Sequence, residues 1–450
     1  VQHDVYHVYT VDVHSVAAVD RLHELARGDL KSDHPLPCRL AAEMPRPKTL
    51  FLALLLHDIG KAFGRDHSVK GAEMAGPIAA RLGFSEADQR HVVWLVEEHL
   101  SLYHWATRRD TSDTDTLAEI ASRVGTAERL RDLYLLTFAD LSTTNPGAMT
   151  AWKARMFEDL YHRLVAVLEG KRAVDAHEDR VATLRSQARD ALELEPDGAA
   201  LVNFLASMPD RYVLAHPPEV IRAHARLALG RAEAPLLVDG AIQSDGETLV
   251  LTVVTNDRPG LLADVAGVLA AERLTVVSAD IYSRARDGLP DEAFDLLVVR
   301  KPGSNLAEGG DVAGRVQKNL AAVWGGKSTV AELLGRLRKT PTWAMRKTPD
   351  VRTEVVVDNA VSRHFTVVDV FTKDRLGLLY DIARALHAEG LSIALSKIST
   401  EGHRAADVFY VRDERGAKIE DGERLASLSE RLRAMLVTAE QSEKQTGGGA

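Results

Sequence analysis

Cysteine is nearly absent from this chain of 450 residues, and Cys38 is its one example. A single cysteine excludes an intrachain disulfide and indicates a reducing compartment, so we expect a cytoplasmic protein. Long hydrophobic runs are also missing. None approaches the ~18 residues that a membrane-spanning helix needs, and no secretory signal is visible. We therefore expect no membrane as a partner.

An excess of positive charge is lacking as well. The formal net charge is -9 at pH 7, which argues against nucleic acid as the main partner. Hydrophobic residues make up 45 % and charged residues 27 % of the chain, as in ordinary globular proteins. The length predicts roughly three domains of ~150 residues. Because Val1 opens directly into patterned sequence, we expect that the chain begins inside a longer protein.

The chemistry centres on an apolar run, 51–56, that ends in His57-Asp58-Ile59-Gly60-Lys61. Gly60 is a plausible stop signal for a helix. A buried carboxylate is costly unless it is paired or coordinates a metal. A single His-Asp pair occurs by chance in many long chains. Further ligands must therefore come from other segments before a metal site is predicted.

Other segments of the mostly helical region 1–165 do direct polar side chains inward. His14, His99 and Asp140 each adjoin an apolar helical stripe, and His67 lies in the loop after Lys61. Any one of them alone is compatible with a satisfied core histidine or a helix cap. Together with His57 and Asp58 they predict one shared metal centre. Mixed nitrogen and oxygen ligands favour Mn, Fe, Co or Zn over Ca, and Asp58 could bridge two ions.

The phrase Leu-His-Asp-Ile-Gly-Lys, with His14 and Asp140, resembles the HD superfamily of metal-dependent phosphohydrolases. The resemblance implies that His14, His57, Asp58 and Asp140 hold metal. It also implies that His67 and His99 match the extra histidines of members with two or more ions. We assign catalytic roles to Asp58, Lys61 and Asp140.

Several polar residues near this motif remain open to more than one interpretation. His7 could lie behind the ligands or contact a phosphate, and His91 lies off the His99 stripe, which predicts a surface position. Arg108 and Arg109 could contact a phosphate, but a solvated role fits them equally well.

The last two hundred residues contain an internal repeat of the order strand, helix, strand, strand, helix. Each copy has a turn between its first strand and helix, Asn256-Asp257-Arg258-Pro259-Gly260-Leu261 in one and Lys373-Asp374-Arg375-Leu376-Gly377-Leu378 in the other. This order predicts the ferredoxin-like plan. We expect residues 353–358 to be the closing strand of the first copy, whereas the second copy shows no clear closing strand.

The phrase Asp-Arg-x-Gly-Leu-Leu and its duplication resemble ACT domains, which usually bind amino acids. Glycine lets a ligand approach the start of a helix, whose N–H groups suit a carboxylate. The resemblance implies seven ligand-binding residues, Asn256, Asp257, Gly260, Leu261, Asp374, Gly377 and Leu378. ACT pairing would also permit a homo-oligomer.

The resulting fold class is multidomain α and α+β, with an all-helical HD domain followed by two ferredoxin-like (βαββαβ) ACT domains. The predicted boundaries are 1–165 for the HD domain, 166–245 for a helical extension and connection, 246–360 and 361–441 for the two ACT domains, and 442–450 for a flexible tail.

An HD domain followed by two ACT domains resembles the bifunctional uridylyltransferase/uridylyl-removing enzymes of PII nitrogen signalling. This family implies metal-assisted removal of UMP from a tyrosine of uridylylated PII protein, dependence on Mn²⁺ (with Mg²⁺, Fe or Co possible), and activation by L-glutamine. Its nucleotidyltransferase motif, Gly-Ser followed by Asp-x-Asp, is not found in these 450 residues. We therefore expect UMP removal and glutamine sensing without UMP transfer.

Two alternatives stay open at this point. One is a nucleotide phosphohydrolase such as a (p)ppGpp hydrolase, which also joins HD and ACT domains but typically carries an acidic phrase where Ile59-Gly60-Lys61 stands. The other is an amino-acid-sensing regulatory protein whose HD site is inactive, although the full ligand set argues against it.

Overall fold

A computed structural model describes the greater part of the chain. The described residues are 10–109, 111, 113–144, 149, 151–171, 173–243, 246–301, 311–337, 351–362, 364–398, 400–401 and 404–447. They form two compact units, Val1–Ala182 and Thr183–Ala450. His7 lies outside the described residues. Within the described part of the chain, no helix combines the length and hydrophobicity that crossing a membrane requires.

The first unit is built from helices, as the sequence predicts for its region. They are α1 (Val11–Arg27), α2 (Pro35–Ala42), α3 (Pro47–Leu56), α4 (His67–Arg81), α5 (Glu86–Glu98), α6 (Ser101–Arg108), α7 (Thr114–Val124), α8 (Ala127–Thr144) and α9 (Ala151–Leu168), with a 3-10 helix at Lys61–Asp66 before α4. Helix α10 (Ala173–Glu193) begins in this unit and continues past its end.

The core of the first unit explains why polar residues end up inside it. Helices α1, α3, α5 and α8 pack on one another, and their apolar faces are almost fully excluded from solvent. Leu54, Val96 and Leu136 are each 0 % exposed. A side chain that continues one of these faces is buried whether it is apolar or not. The helical stripes that end at His99 and Asp140 therefore deliver those residues into the interior.

The second unit begins with helices and continues with two α/β layers. After α10 its elements are α11 (Gly198–Ser207), α12 (Asp210–Ala215), α13 (Pro218–Gly230), β1 (Leu236–Ile242), β2 (Thr248–Asn256), α14 (Leu261–Ala271), β3 (Thr275–Arg286), β4 (Leu289–Arg300), α15 (Val312–Trp324), α16 (Val330–Leu337), β5 (Glu354–Asp358), β6 (Thr366–Lys373), α17 (Leu378–Ala388), β7 (Ser392–Lys397), β8 (Thr400–Glu401), β9 (Arg404–Arg412) and α18 (Gly422–Gly447).

Both sheets are antiparallel and ferredoxin-like in strand order. The first has the order β1-β2-β4-β3, and the second has the order β5-β6-β9-β7 with β8 on β9. Helices α14 and α15 cover one face of the first sheet, because alternate strand residues such as Leu251, Val253 and Leu297 are apolar and buried there. The opposite face packs against α11–α13 through Val254 and Phe294.

In each sheet, one edge strand comes from the residues that precede the repeat and not from those that follow it. The prediction that 353–358 closes the first ACT copy is wrong, because Glu354–Asp358 pairs with β6 of the second copy. The edge of the first sheet is filled by β1, which precedes the repeat. A strand that pairs with its immediate neighbour closes a shorter loop and loses less entropy than one that returns over a helix. We therefore propose that the two ACT units start at β1 and β5.

The two ACT units pack side by side. Helix α14 lies against α17, and edge strand β3 lies beside edge strand β7. Gly267 permits the close approach, since a Cβ there would be 2.3 Å from Val330 and 2.8 Å from the Tyr380 ring. The chain also continues as helix to Gly447, where the sequence predicted a tail from residue 442.

Candidate metal centre

Five helices, α1, α3, α4, α5 and α8, bring the six predicted ligands together. His14 lies on α1, His57 and Asp58 directly follow α3, and His99 directly follows α5. His67 begins α4, and Asp140 lies on the buried face of α8. All six side chains are buried except that of His67, which is 18 % exposed. The six side chains thus surround one point. The cluster is open to solvent on the side where His67 lies.

The cluster divides into two triads that could each hold an ion. One consists of His14, His57 and Asp140, and the other of Asp58, His67 and His99; within each, the ligand atoms lie within 4.8 Å of one another. Asp58 joins the triads. Its Oδ2 is 3.3 Å from His57 Nε2, while its Oδ1 is 3.7 Å from His99 Nε2. One carboxylate that faces both triads would suit a site with two neighbouring ions.

Backbone carbonyls fix the orientation of two of the histidines. His57 Nδ1 donates to the carbonyl oxygen of Leu54 at 2.6 Å, and His99 Nδ1 donates to that of Val96 at 2.7 Å. Each imidazole therefore turns its Nε2 toward the cluster, as in many metal sites. The Nε2 atoms of His57, His67 and His99 make no hydrogen bond to any described residue. Buried nitrogens of this kind, beside carboxylates, fit a divalent metal ion.

Neighbouring charges inside the cluster shift the pKa values of its histidines and aspartates. Burial opposes the charged form of His57, but Asp58 and Asp140 outweigh it and raise the His57 pKa well above its ordinary value. The His57 charge, with that of Lys61, likewise holds the Asp58 pKa far below its usual range despite burial. Burial and the nearby His57 charge lower the pKa of His99 to about 4. At neutral pH these shifts favour a neutral His99 and a protonated His57, whose proton a bound metal ion would displace.

We expect metal binding to release about one proton per chain near pH 7, because an ion at His57 Nε2 replaces its proton. Affinity should rise with pH until the His57 pKa of the metal-free protein is passed. Below the ordinary His pKa the protonated His57 stabilises the metal-free fold, and this contribution is lost as pH rises through its raised value. Calorimetry with Mn²⁺ in two buffers of different ionisation enthalpy measures the proton count. Equal apparent enthalpies in both buffers would contradict this assignment.

Gly60 sets the path of the chain between the two triads. A Cβ there would lie 2.0 Å from the backbone oxygen of His67 and 2.6 Å from the backbone nitrogen of Gly71. Gly71 in turn lies against α5, where a Cβ would be 3.1 Å from Val96. The prediction that Gly60 stops the helix is wrong, because α3 ends at Leu56. Gly60 instead lets α4 approach closely enough for His67 to reach the cluster.

The prediction that His91 lies at the surface is wrong. His91 is 4 % exposed, and its Nε2 is 2.8 Å from Asp132 Oδ2. Asp132 also accepts two hydrogen bonds from Arg131. The position of His91 off the His99 stripe did not predict its exposure, because α5 is buried on more than one face. Arg109 contacts Glu119 at 2.5 Å, which fits a solvated role.

Comparison with known proteins agrees with this geometry. Residues 11–140 match the HD domain family, and residues 354–441 match an ACR9-like, ACT-like domain. The bifunctional uridylyltransferase/uridylyl-removing enzyme of Azospirillum brasilense is 36 % identical over 434 residues, 96 % of this chain and 46 % of the relative. The enzyme of the same name from Gluconobacter oxydans is 36 % identical over 440 residues, 97 % of this chain and 46 % of the relative.

Over nearly its whole length the chain is homologous to bifunctional uridylyltransferase/uridylyl-removing enzymes. It spans about half the length of the curated relatives that it matches. No solved structure matches the chain. The chain carries a helical HD domain whose His/Asp cluster could hold metal, together with an ACT-like domain match in its last part.

The predicted effector residues lie at two equivalent turns, one in each ACT unit. Gly260 and Gly377 precede α14 and α17 with φ angles of +77° and +81°, a conformation that favours glycine. Leu261 and Leu378 are each 5 % exposed, so their side chains belong to the core and only their backbone groups face the turn.

The remaining predicted effector residues differ between the copies. The Asn256 side-chain oxygen accepts hydrogen bonds from Arg231 and Arg286 at 2.7 and 2.8 Å, and the Asp257 N–H donates to the Asp291 carbonyl. In the second copy, Asp374, Gly377 and Leu378 line a cavity that also touches Ala266 and Ala270 of α14. The cavity thus lies where the second turn meets the first ACT unit.

Proposed function

We propose that the HD domain is a metal-dependent phosphodiesterase that removes UMP from uridylylated PII protein. The observation that carries the proposal is the pair of adjacent His/Asp triads joined by Asp58. The relatives named above are uridylyl-removing enzymes, which supports the choice of a uridylyl group as the part of the substrate that is transferred to water.

The donor set supports two divalent ions, and we propose Mn²⁺, with Mg²⁺, Fe or Co as alternatives. His14, His57 and Asp140 would hold one ion, and Asp58, His67 and His99 would hold the other. Bound ions supply Lewis acidity and lower the pKa of water at the site. The phenolate of a tyrosine is a good leaving group because its pKa is only ~10.

The chain's own residues would position the phosphodiester. Lys61 Nζ is 2.7 Å from Asp58 Oδ2, and its side chain is 9 % exposed. An ion on Asp58 competes with this ammonium group, so we propose that Lys61 then turns to a phosphoryl oxygen of the substrate. Asp140 would accept a hydrogen bond from the attacking water. The 18 % exposed His67 side chain marks the side from which substrate enters.

A hydrolysis screen tests this proposal against its alternatives. The metal-loaded chain is incubated with uridylylated PII protein and with ppGpp, and released UMP and pyrophosphate are measured. We expect UMP release only. Pyrophosphate release from ppGpp would support the nucleotide phosphohydrolase, and a metal-loaded chain that hydrolyses neither substrate would support the amino-acid-sensing regulatory protein. The ppGpp hydrolases typically carry acidic residues after the His-Asp pair, whereas this chain has Lys61 beside Asp58. This difference favours release of UMP.

We further propose that L-glutamine binds the ACT pair and stimulates hydrolysis. The support is the pair of positive-φ glycine turns at the starts of α14 and α17, where helix N–H groups suit a carboxylate. Allosteric coupling is typically ~1–3 kcal/mol, so we expect stimulation of about 5- to 150-fold. The side-by-side ACT units could transmit the signal, because their helices α14 and α17 are in contact.

Replacing Gly260 or Gly377 by valine should weaken glutamine binding and its stimulation of hydrolysis, but leave basal hydrolysis unchanged. A β-branched residue is strained at positive φ and would occupy space in front of the helix. Gly288→Val is the matched control, because Gly288 has φ +69° with nothing near its Cβ position. Calorimetry and hydrolysis assays measure the two effects. Equal loss of glutamine binding in the control would mean that strain alone is responsible.

A further inference from the structure

A buried acid on the first ACT sheet has no evident structural role. Asp295 of β4 is 1 % exposed, and neither carboxylate oxygen has a hydrogen-bond partner among the described residues. Its cross-strand neighbours are Val253 and Ile281, and Ala293 and Leu297 flank it on the same face of its strand. Burying a carboxyl group in such surroundings is costly unless something pairs with it.

The acid lies near the first glycine turn. It shares a sheet face with the apolar residues that pack against α14. Burial raises the Asp295 pKa well above its ordinary value, and the negative charge of Asp257 raises it further. Asp257 belongs to the turn that leads through Gly260 into α14. The carboxyl group is therefore close enough to that turn to feel its charge, and the Arg211 cation offsets only part of the rise in its pKa.

The second ACT unit carries an aspartate at the equivalent position. Asp407 of β9 pairs with Val370 as Asp295 pairs with Val253, and Val370 precedes Gly377 by the same seven positions as Val253 precedes Gly260. Asp407 is 2 % exposed and lines the cavity at the start of α17. The duplication thus places an acid beside each glycine turn, and in the second copy that acid faces a cavity.

We propose that Asp295 and Asp407 bind the ammonium group of the amino-acid effector, while the effector's carboxylate binds at the start of the neighbouring helix. This inference rests on the proposed function, in which the ACT pair binds an amino acid. A helix start favours an anion and a buried carboxylate favours a cation. Only a zwitterion satisfies both at once, which selects α-amino acids against simple carboxylic acids.

The packing around the two turns predicts unequal sites. A Cβ on Gly260 would be 3.4 Å from the imidazole of His387, whereas one on Gly377 would be 3.6 Å from the methyl group of Ala270. The second site is thus the more open one, and Asp407 should contribute more to affinity than Asp295. Its cavity of about 30 Å³ holds a water molecule or two, not an amino acid. Binding must therefore widen the junction between α14 and α17, which joins the two ACT units.

The test is calorimetry of the whole 450-residue chain with L-glutamine and with 4-carbamoylbutanoate, which lacks the α-ammonium group. We expect Asp407→Asn to weaken glutamine binding roughly ten- to hundredfold, the range of a lost charge-assisted hydrogen bond. Asp295→Asn should have a smaller effect, and the double variant should bind no better than the wild-type chain binds the deamino analogue. Asp239→Asn, an exposed acid on β1 of the first sheet, is the control and should bind normally.

Thermal melting separates a ligand-binding role from that of an idle core acid. An idle protonated acid would give an Asp295→Asn variant of equal or higher melting temperature with unchanged glutamine affinity, and a double variant binding within twofold of wild type overturns the proposal. If the wild-type chain binds another amino acid but not glutamine, the proposed effector is wrong and the same variants are measured with that amino acid. Binding of none of the twenty amino acids overturns both proposals.

Discussion

Replacing Asp58 by alanine should abolish metal binding and hydrolysis together while the fold survives. Asp58 is the one residue whose two carboxylate oxygens face different triads, at 3.3 Å from His57 and 3.7 Å from His99. Its loss would remove a ligand from each of the two proposed ions. We expect hydrolysis to fall by roughly 10³-fold or more, because each ~1.4 kcal/mol of lost transition-state stabilisation costs a factor of ten.

The measurement combines metal content, hydrolysis rate and circular dichroism of the purified variant. Asp66→Ala is the matched control, since Asp66 is an exposed acid eight residues away on the same loop region and belongs to neither triad. It should retain both ions and full activity. A wild-type rate of hydrolysis in a metal-free Asp58→Ala protein would contradict the assignment of the site.

Replacing Gly60 by alanine should have the second-largest effect. The added Cβ would stand 2.0 Å from the His67 carbonyl oxygen and 2.6 Å from the Gly71 nitrogen. Both are backbone atoms, so α4 must move as a whole. We expect a loss of about 3 kcal/mol in the free energy of unfolding, and displacement of His67 from its triad. The triad of His14, His57 and Asp140 involves neither Gly60 nor α4 and should keep its ion.

Metal titration of the Gly60→Ala protein should therefore show one ion per chain in place of two. Gly76→Ala, on helix α4, is the control, because its Cβ would meet only a side-chain methyl group of Val93 at 3.3 Å. Denaturant unfolding gives the stability difference between the two variants. Two ions of wild-type affinity in Gly60→Ala would show that His67 does not depend on this close approach.

Much of the architecture was predictable because it rests on local patterns. The apolar stripes before His99 and Asp140 predict buried helices, and the structure contains α5 and α8 with those faces inside. The duplicated Asp-Arg-x-Gly-Leu-Leu phrase predicts a strand, a turn and a helix in each ACT copy, and the positive φ angles of Gly260 and Gly377 explain its glycine. Periodicity and turn chemistry are properties of neighbouring residues, so a single sequence contains them.

Other features depend on which distant segments meet. Residues 353–358 have strand character in any fold, but only the tertiary structure assigns that strand to β6 and not to the first sheet. His91 faces Asp132 from another helix, a contact that its own helix does not encode. The division of six ligands into two triads around Asp58 likewise follows from how α1, α3, α4, α5 and α8 pack. The sequence by itself determined which helical stripes are turned inward, because burial of a stripe follows local periodicity, but it did not determine the burial of His91 beside the stripe of His99. The tertiary structure alone decided which of them lie within reach of one another, because that depends on helix packing and strand pairing across the chain.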